Sequence, residues 1–320
     1  MSFGTSAPEL AVSINSSLSG QATVALGNVI GSNIFNVLAI LGVSALAAPL
    51  VVTARLVRID VPLAILISAG TLLLAIDGRV GRVDGLLLVG GMGVYTVALI
   101  IQSRASSSKS SLSSGDARSS GAREEGHAGG WAWNLGLAVG GLVLLVLGAR
   151  WFVGAAIEIA RNLGVSELII GLTIVAGGTS LPELATSVLA GVRGERDIAV
   201  GNVVGSNIFN LLAVLGISAT VAPGGIPVSE AVLWFDLPVM IAAAIACLPI
   251  FFTGFTIARW EGLLFVSYYG AYTAYLIMGA TQHDALSTFS LAMSVFVLPL
   301  TGVTLGVLGI HAWRASSLSE

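Results

Sequence analysis

An eight-residue run, Gly4-Thr5-Ser6-Ala7-Pro8-Glu9-Leu10-Ala11, returns with one change as Gly178-Thr179-Ser180-Leu181-Pro182-Glu183-Leu184-Ala185. A second run, Gly27-Asn28-Val29-Ile30-Gly31-Ser32-Asn33-Ile34-Phe35-Asn36, returns as Gly201-Asn202-Val203-Val204-Gly205-Ser206-Asn207-Ile208-Phe209-Asn210, at the same offset of 174 residues. Residues 4–49 and 178–223 are identical at 27 of 46 positions, which shared hydrophobicity alone does not explain. The sequence therefore predicts an internal duplication.

The composition is that of a chain embedded in a bilayer. Only 10% of the residues are charged, 55% are hydrophobic and the mean hydropathy is +0.94, whereas a soluble domain carries about 25% charged residues. The net charge of -3 does not indicate a nucleic-acid partner. The single cysteine, Cys247, lies in an apolar run and is interpreted as a packing residue. No nucleophile–base pair or phosphate-binding loop indicates an enzyme.

Nine apolar stretches are long enough to cross the bilayer, since a helix needs roughly 20 apolar residues to do so. We predict spans at 23–48, 60–76, 84–102, 131–158, 167–191, 197–221, 231–252, 261–279 and 287–312. Residues 1–18 form a stub that is too short to cross. The segment 103–130 is rich in Ser and Gly and carries mixed charges, which predicts a flexible linker between two membrane halves.

The two copies are expected to have opposite orientations in the membrane. Spans beginning near 131, 167, 197, 231 and 261 make five in the second copy, and an odd number inverts the next copy. The predicted fold is therefore an all-α integral membrane protein with two inverted repeats of five helices and one extra C-terminal helix. Its parts are a first repeat at 1–102, the linker at 103–130, a second repeat at 131–280, and the extra helix and tail at 281–320.

Basic residues are distributed unequally between the two faces of the membrane. Alternating the spans leaves Arg79, Arg82, Arg150 and Arg161 on one side and the other ten Lys and Arg residues on the side of the linker. Because cytoplasmic loops carry an excess of Lys and Arg, we expect the 103–130 linker to be cytoplasmic.

The first copy is incomplete at its start. Forty-seven residues, 131–177, precede the Gly-Thr-Ser-Leu-Pro-Glu run of the second copy, but only residues 1–3 precede its counterpart. A whole span and half of the next are absent. We expect the chain to be a fragment, or to begin at a misassigned start codon.

Glu9 and Glu183 are the strongest candidates for functional residues. An ionised carboxylate in the middle of a membrane helix costs about 3 kcal/mol on insertion scales, so such a residue is functional by default. A structural Glu bonded to a neighbouring helix is the alternative, but the repeated placement argues against it. Two carboxylates from inverted copies can converge and supply the charge that one divalent cation neutralises.

The residues around each Glu predict a break in the helix and a set of oxygen ligands. Pro8 and Pro182 lack an amide hydrogen and interrupt the helix, and non-helical backbone at membrane depth is tolerated where it lines protein or a cavity. The hydroxyl residues three and four positions before each Glu share its helical face. These are Thr5, Ser6, Thr179 and Ser180. Oxygen ligands without His or Cys favour calcium over softer metals.

A second set of polar residues follows on the next span. Asn28, Ser32 and Asn36 are four apart along one face, and Asn202, Ser206 and Asn210 repeat the pattern. They are candidate ion ligands, with hydrogen bonding between helices as the alternative. The glycines of this run are expected to allow close helix packing. Four acidic residues near span ends are expected to be solvated at the interface: Asp60, Asp84, Asp236 and Glu261.

The paired runs resemble the alpha repeats of the sodium/calcium exchanger family, within the cation/calcium antiporters, in its bacterial form. The resemblance implies an antiporter of the cytoplasmic membrane that exchanges calcium for sodium by alternating access and has no cofactor. It implies calcium coordination by Glu9 and Glu183 with backbone oxygens of Thr5 and Thr179. It also implies sodium sites at Ser6, Ser180, Ser32 and Ser206.

One position departs from the pattern of some relatives. These have an acidic residue at the position matching Asn210, whereas both Asn36 and Asn210 are amides here. A third site carboxylate is therefore missing, which argues against potassium co-transport. Two alternatives remain open: a proton/calcium antiporter, in which a Glu is protonated instead of sodium binding, and a passive cation channel.

Overall fold

The structure is a computed structural model that describes residues 2–113, 164–252, 255–304, 306 and 307, with separate positions between 136 and 162. The helices of its first part are α1 Ser2–Thr5, α2 Ala7–Leu18, α3 Ala22–Ala47, α4 Leu56–Leu74 and α5 Arg82–Ser113. Those of the second part are α6 Glu167–Thr179, α7 Leu181–Arg193, α8 Arg196–Val221, α9 Val232–Phe251, α10 Arg259–Ala280 and α11 Leu286–Thr304. Four two-residue strands are β1 Leu50–Val51, β2 Arg79–Val80, β3 Ile226–Pro227 and β4 Thr256–Ile257.

The helices agree with the predicted spans. Within the described residues, seven helices are long and apolar enough to cross a membrane, or eight if α6 and α7 form one bent span. The predicted span at 131–158 lies outside the continuously described residues. Helix α5 continues to Ser113, so residues 103–113 of the predicted linker are helical, and the rest of the linker falls outside the described residues.

The duplication is visible in the irregularities of the helices as well as in their order. Helix α3 widens into a π-helical turn at Asn36–Leu41, and α8 does so at the equivalent Asn210–Leu215. The next span of each copy begins with another such turn, Leu56–Asp60 in α4 and Val232–Asp236 in α9. Helices α3 and α8 are mostly buried, while α5 and α11 are mostly exposed, so α3 and α8 form the centre of the bundle.

The short strands join one copy to the other. Strand β1 pairs antiparallel with β4, with Leu50 opposite Ile257, and β2 pairs antiparallel with β3, with Val80 opposite Ile226. In each copy, the first strand therefore pairs with the second strand of the other copy. Because buried backbone N–H and C=O groups need hydrogen-bond partners, these ladders satisfy chain segments that leave the helices.

Two glycine contacts bring helices of opposite copies together. A Cβ atom on Gly262 of α10 would lie 2.7 Å from the carbonyl oxygen of Gly42 in α3. A Cβ atom on Gly85 of α5 would lie 2.6 Å from the carbonyl oxygen of Gly216 in α8. Glycine is required at both crossings, since any side chain would collide with backbone. The predicted packing role is confirmed for Gly27, where a Cβ would lie 2.8 Å from the oxygen of Leu168, but it is wrong for Gly201, where no atom lies within 4 Å of a Cβ.

The prediction that the acidic residues at span ends are solvated is wrong for three of the four. Asp60, Asp236 and Glu261 are 8%, 2% and 3% exposed. Asp236 accepts a 2.8 Å hydrogen bond from the Tyr272 hydroxyl, and Asp60 lies 3.7 Å from the Arg55 guanidinium. Buried carboxylates require such partners, which spacing within the sequence does not reveal.

The remaining acidic pair caps two helices in the same manner. Glu261 accepts a 2.7 Å hydrogen bond from the backbone N–H of Ala258, and half-buried Asp84 accepts one of 2.8 Å from that of Gly81. Each carboxylate lies three residues after the N–H group that it binds. Their function is therefore to start α10 and α5, where helix N–H groups lack partners within the helix.

Candidate cation site

The site begins with two helix breaks at the same position of the repeated motif. Ser6 separates α1 from α2, and Ser180 separates α6 from α7. The axes of α6 and α7 differ by 45°. Pro8 and Pro182 occupy the second position of the helix after each break, where their missing N–H costs nothing. The predicted interruption of both helices is therefore present.

Glu9 and Glu183 come next, in the first turns of α2 and α7, and both side chains are 0% exposed. The hydroxyl of Ser6 donates a 2.6 Å hydrogen bond to Oε1 of Glu183, and that of Ser180 donates one of 2.7 Å to Oε1 of Glu9. A serine at the start of a helix usually caps its own helix, but neither serine does so here. Each motif thus supplies a hydroxyl to the carboxylate of the other copy.

The second oxygen of each carboxylate has no hydrogen-bond partner in the described part of the chain. Oε2 of Glu9 and Oε2 of Glu183 are both buried and lack such a partner. Neither Glu forms an ion pair with a described Lys or Arg. Two buried carboxylates without a counter-charge are costly, so the arrangement is suited to a bound cation.

Two amide oxygens from the central helices share this condition. Asn36 and Asn210 are 0% exposed, and Oδ1 of each lacks a hydrogen-bond partner among the described residues. Their Nδ2 groups are engaged, with Oδ1 of Asn207 at 2.9 Å and Oδ1 of Asn33 at 3.4 Å. Both amides therefore have an oxygen available to a ligand, while the NH2 group of each faces an acceptor of the opposite copy.

The serines of α3 and α8 are buried at the same level of the motif. The Ser206 hydroxyl lies 3.5 Å from Oε1 of Glu183, and that of Ser32 lies 3.5 Å from the carbonyl oxygen of Ala176. Both side chains are 0% exposed. Ser206 therefore lies beside one of the two carboxylates, and Ser32 lies beside the backbone just before the second helix break.

Asn28 and Asn202 are held mainly between helices. Nδ2 of Asn28 donates to Oγ of Ser13 at 2.9 Å, and Nδ2 of Asn202 lies 3.3 Å from Oγ of Ser187. Oδ1 of Asn28 accepts a 3.0 Å hydrogen bond from the Thr179 hydroxyl. These bonds favour the alternative considered for Asn28, hydrogen bonding between helices. Ion coordination by these two amides stays a prediction.

Thr179 and Thr5 are both buried next to the breaks, at 3% and 7% exposure. Besides its bond to Asn28, the Thr179 hydroxyl lies 3.3 Å from the carbonyl oxygen of Ala176. The hydroxyl proton is thus directed to neighbouring oxygens. Coordination by backbone oxygens of Thr5 and Thr179 stays a prediction.

Four residues near the site were not singled out from the sequence. Asn33 and Asn207 bind the site amides, while Ser13 and Ser187 bind the amides of Asn28 and Asn202. All four belong to identical positions of the two copies, so identity between the repeats was the signal available. It did not separate them from neighbours that are identical for packing reasons.

The chemistry of the assembled groups is uniform. Carboxylate, amide and hydroxyl oxygens surround the two breaks, and no group of three or more His, Cys, Asp or Glu residues occurs in the described residues. Such a set suits a hard cation that is bound by oxygen, with two negative charges and several neutral dipoles.

A comparison with protein families finds one match that covers most of the chain. The model of the family described as sodium/calcium exchanger protein matches residues 1–101 and 133–278. The match includes both copies of the motif and omits the intervening linker.

Individual relatives resemble the chain over most of their length. The sodium/calcium exchanger MaX1 of Methanosarcina acetivorans is 33% identical over 304 residues, which cover 86% of this chain and 86% of that protein. The inner membrane protein YrbG of Escherichia coli is 41% identical over 231 residues, 71% of this chain and 69% of that protein.

Solved structures of the sodium-calcium exchanger NCX_Mj have the same fold. The structure soaked with 2.5 mM Na+ and 1 mM Sr2+ aligns with a TM-score of 0.64 and 30% identity, covering 86% of this chain and 84% of that one. The structure soaked with 2.5 mM Na+ and 0.1 mM Ca2+ aligns with a TM-score of 0.62 and 29% identity, covering 83% and 81%.

Proposed function

Because this chain belongs to the sodium/calcium exchanger family, we propose that it is a secondary antiporter that exchanges calcium for sodium at a site between Glu9 and Glu183. The observation that carries the proposal is the pair of fully buried carboxylates, each bonded by a serine of the other copy and each retaining a free oxygen. The relatives are named as exchangers and membrane proteins, and the family consists of transporters, not enzymes.

Calcium is the divalent cation that suits these ligands. The free oxygens of Glu9, Glu183, Asn36 and Asn210 form its proposed ligand set, with backbone oxygens of Thr5 and Thr179 as further ligands. Calcium accepts six to eight oxygens in flexible geometry, so a mixture of carboxylate, amide and backbone groups is suitable. Its charge balances the two carboxylates, which removes the cost of burying them.

Sodium would use the serines Ser6, Ser180, Ser32 and Ser206. Ser6, Ser180 and Ser206 contact the carboxylates, and Ser32 lies beside the second helix break. A hydroxyl oxygen can bind a cation through its lone pairs while its O–H group donates a hydrogen bond to a carboxylate. Because both ions need the same carboxylates, calcium and sodium compete, and their exchange follows from alternate occupancy.

Alternating access is the proposed way in which the ions reach both sides of the membrane. Inverted repeats place equivalent helix breaks at the middle of the bilayer, and rocking of one part against another then opens the site to one side at a time. An empty site leaves two carboxylates close together in a medium of low dielectric constant, which favours movement of the loaded site.

The proposal includes the location of the protein. We propose the cytoplasmic membrane, with repeats at 1–102 and 131–280, the 103–130 linker in the cytoplasm and the segment 281–320 outside the repeats. Labelling of a cysteine introduced at Ser113 with a membrane-impermeant reagent, in intact and in opened cells, tests the side of the linker.

The direct test is calcium-45 uptake into proteoliposomes that contain the protein and an outward sodium gradient. We expect uptake to depend on the gradient and Glu183→Gln to reduce it to the level of empty vesicles, because the amide keeps the shape but removes one charge. Glu230→Gln is the control, since Glu230 is exposed. Full uptake by Glu183→Gln would overturn the assignment of the site.

The two alternatives have different requirements in the same assay. A proton/calcium antiporter would take up calcium in sodium-free vesicles driven by a pH gradient alone. A passive cation channel would pass calcium without any counter-ion gradient. The family match supports sodium exchange over both.

A further inference from the structure

Two asparagines behind the site, Asn33 and Asn207, form hydrogen bonds that cross between the copies. Nδ2 of Asn36 donates to Oδ1 of Asn207 at 2.9 Å, and Nδ2 of Asn210 lies 3.4 Å from Oδ1 of Asn33. Asn33 and Asn207 are themselves buried, at 1% and 8% exposure. Each site amide is thus held by an asparagine of the opposite repeat.

The direction of these bonds is determined by the groups at which they end. Nδ2 of Asn207 lies 3.3 Å from the backbone carbonyl oxygen of Asn33, a group that can only accept. The donor end of Asn207 must therefore face Asn33, and its oxygen must face Asn36. It follows that Asn36 turns its own donor end to Asn207 and its oxygen away from it.

The other half of the network ends on an acceptor as well. Nδ2 of Asn33 lies 3.6 Å from the Sδ atom of Met240, and a thioether sulfur has no hydrogen to donate. Oδ1 of Asn33 therefore faces Asn210 and takes its donor end. Oδ1 of Asn36 and Oδ1 of Asn210 then point away from this network, and both are buried without a hydrogen-bond partner among the described residues.

We propose that Asn207 and Asn33 are positioning residues that orient the amides of Asn36 and Asn210, so that each presents its oxygen and not its NH2 group to the transported ion. This inference rests on the proposed cation site. An amide that rotates by 180° about its terminal bond exchanges oxygen for nitrogen, so a ligand without an orienting partner spends part of its time with a repelling donor toward the ion. Neither positioning residue touches the ion.

The two halves of the network are unequal. The anchor of Asn207 is a carbonyl oxygen at 3.3 Å, and its bond to Asn36 measures 2.9 Å. The anchor of Asn33 is a sulfur at 3.6 Å, and its bond to Asn210 measures 3.4 Å. Sulfur is a weak acceptor, so Asn207 orients its partner more strongly than Asn33 does.

The test compares one substitution in two backgrounds. Asn207→Leu keeps the number and branching of the side-chain heavy atoms but removes the acceptor for Asn36, and we expect the half-saturating calcium concentration of uptake to rise about tenfold. In an Asn36→Asp background both ends of the ligand are oxygen, so orientation no longer matters. There Oδ1 of Asn207 faces a second acceptor. We therefore expect Asn207→Leu to raise the half-saturating concentration by less than about twofold or to lower it, relative to Asn36→Asp alone.

A purely structural role would give another result. If Asn207 only packs the helices, its substitution costs the same in both backgrounds, and the proposal falls. If the Asn207→Leu protein does not insert into the membrane, Asn33→Leu provides the same test. Its effect on the half-saturating calcium concentration is then compared with and without Asn210→Asp. The calcium dissociation constant of each purified variant, measured by calorimetry, separates loss of binding from loss of transport.

Failure of this inference is distinguishable from failure of the proposed function. Retained calcium uptake by Glu183→Gln would refute the proposed cation site itself. A second outcome is that Glu183→Gln loses calcium uptake and Asn207→Leu has equal effects in the two backgrounds. That result would support the cation site and refute only the role of the positioning residues.

Discussion

The hydroxyl of Ser6 donates a 2.6 Å hydrogen bond to Oε1 of Glu183, 177 positions away in the other copy of the repeat. The equivalent bond joins Ser180 to Glu9, so the two motifs are linked in both directions. Each serine lies at the break of its own helix and serves the carboxylate of the other. A substitution of the serine at one break therefore changes the hydrogen bonding of the carboxylate in the opposite repeat.

This reciprocity leads to a prediction about sodium. Ser6→Ala removes a hydroxyl that bonds Glu183 and that we propose as a sodium ligand. The half-saturating sodium concentration should therefore rise about tenfold, and the half-saturating calcium concentration should rise by less than that. Sodium-dependent calcium-45 release measures both values.

Ser180→Ala should have the same effect, because the two positions are equivalent. Ser267→Ala is the matched control, since Ser267 is exposed and bonds only a carbonyl of its own helix. An equal increase for calcium and sodium would show that the serines support the carboxylates without binding sodium.

The charge of the site leads to a second prediction. Asn210→Asp adds a third carboxylate, so one calcium ion leaves one negative charge unbalanced. We expect a monovalent cation to bind together with calcium in this variant, and calcium uptake to become dependent on potassium or sodium on the same side. Uptake measured with choline as the only other cation tests this expectation.

Asn36→Asp is the symmetric comparison for this prediction. If both variants transport calcium in choline as fast as in potassium, the added carboxylate is not part of the ion site.

The glycine crossing between α10 and α3 gives a prediction about stability. Gly262→Ala places a methyl group 2.7 Å from the oxygen of Gly42 and 2.9 Å from Cβ of Ala45, and backbone cannot yield easily. We expect a loss of about 1–3 kcal/mol, seen as a lower midpoint of thermal unfolding in detergent.

Gly270→Ala in the same helix is its control. No atom lies within 4 Å of a Cβ at Gly270, so alanine should leave the midpoint unchanged or raise it, because it is the better helix former. Equal effects of the two substitutions would mean that the crossing is looser than its distances indicate.

Buried Asp236 gives a fourth prediction. Tyr272→Phe removes its 2.8 Å hydrogen-bond donor and leaves a carboxylate of 2% exposure without that partner. We expect a loss of about 1–3 kcal/mol in the same unfolding assay.

Tyr275→Phe is the comparison for this position, because the Tyr275 ring packs against Phe235 with ring centroids 4.2 Å apart and the substitution keeps the ring. Restoration of stability in Tyr272→Phe with Asp236→Asn would show that the cost arises from the carboxylate. If the second substitution does not restore stability, the loss arises from packing and not from the carboxylate.

The sequence alone determined the features that depend on short stretches or on self-similarity. Hydropathy located the spans of the described residues to within a few positions, since the length of a membrane helix is set by the thickness of the bilayer. The duplication singled out Glu9 and Glu183 as candidate ligands. The prolines predicted a break in each helix, and the structure has these breaks at Ser6 and Ser180. These are local properties of the chain, and each of them occurs in both copies of the repeat.

Only the tertiary structure decided which groups meet. The bonds of Ser6 to Glu183, Asn36 to Asn207 and Ser180 to Glu9 join residues 171 to 177 positions apart. The same holds for the burial of Asp236, whose partner is on another helix and whose solvation was predicted wrongly. Periodicity shows which face of a helix a residue occupies, but the partner on that face depends on how the two copies pack.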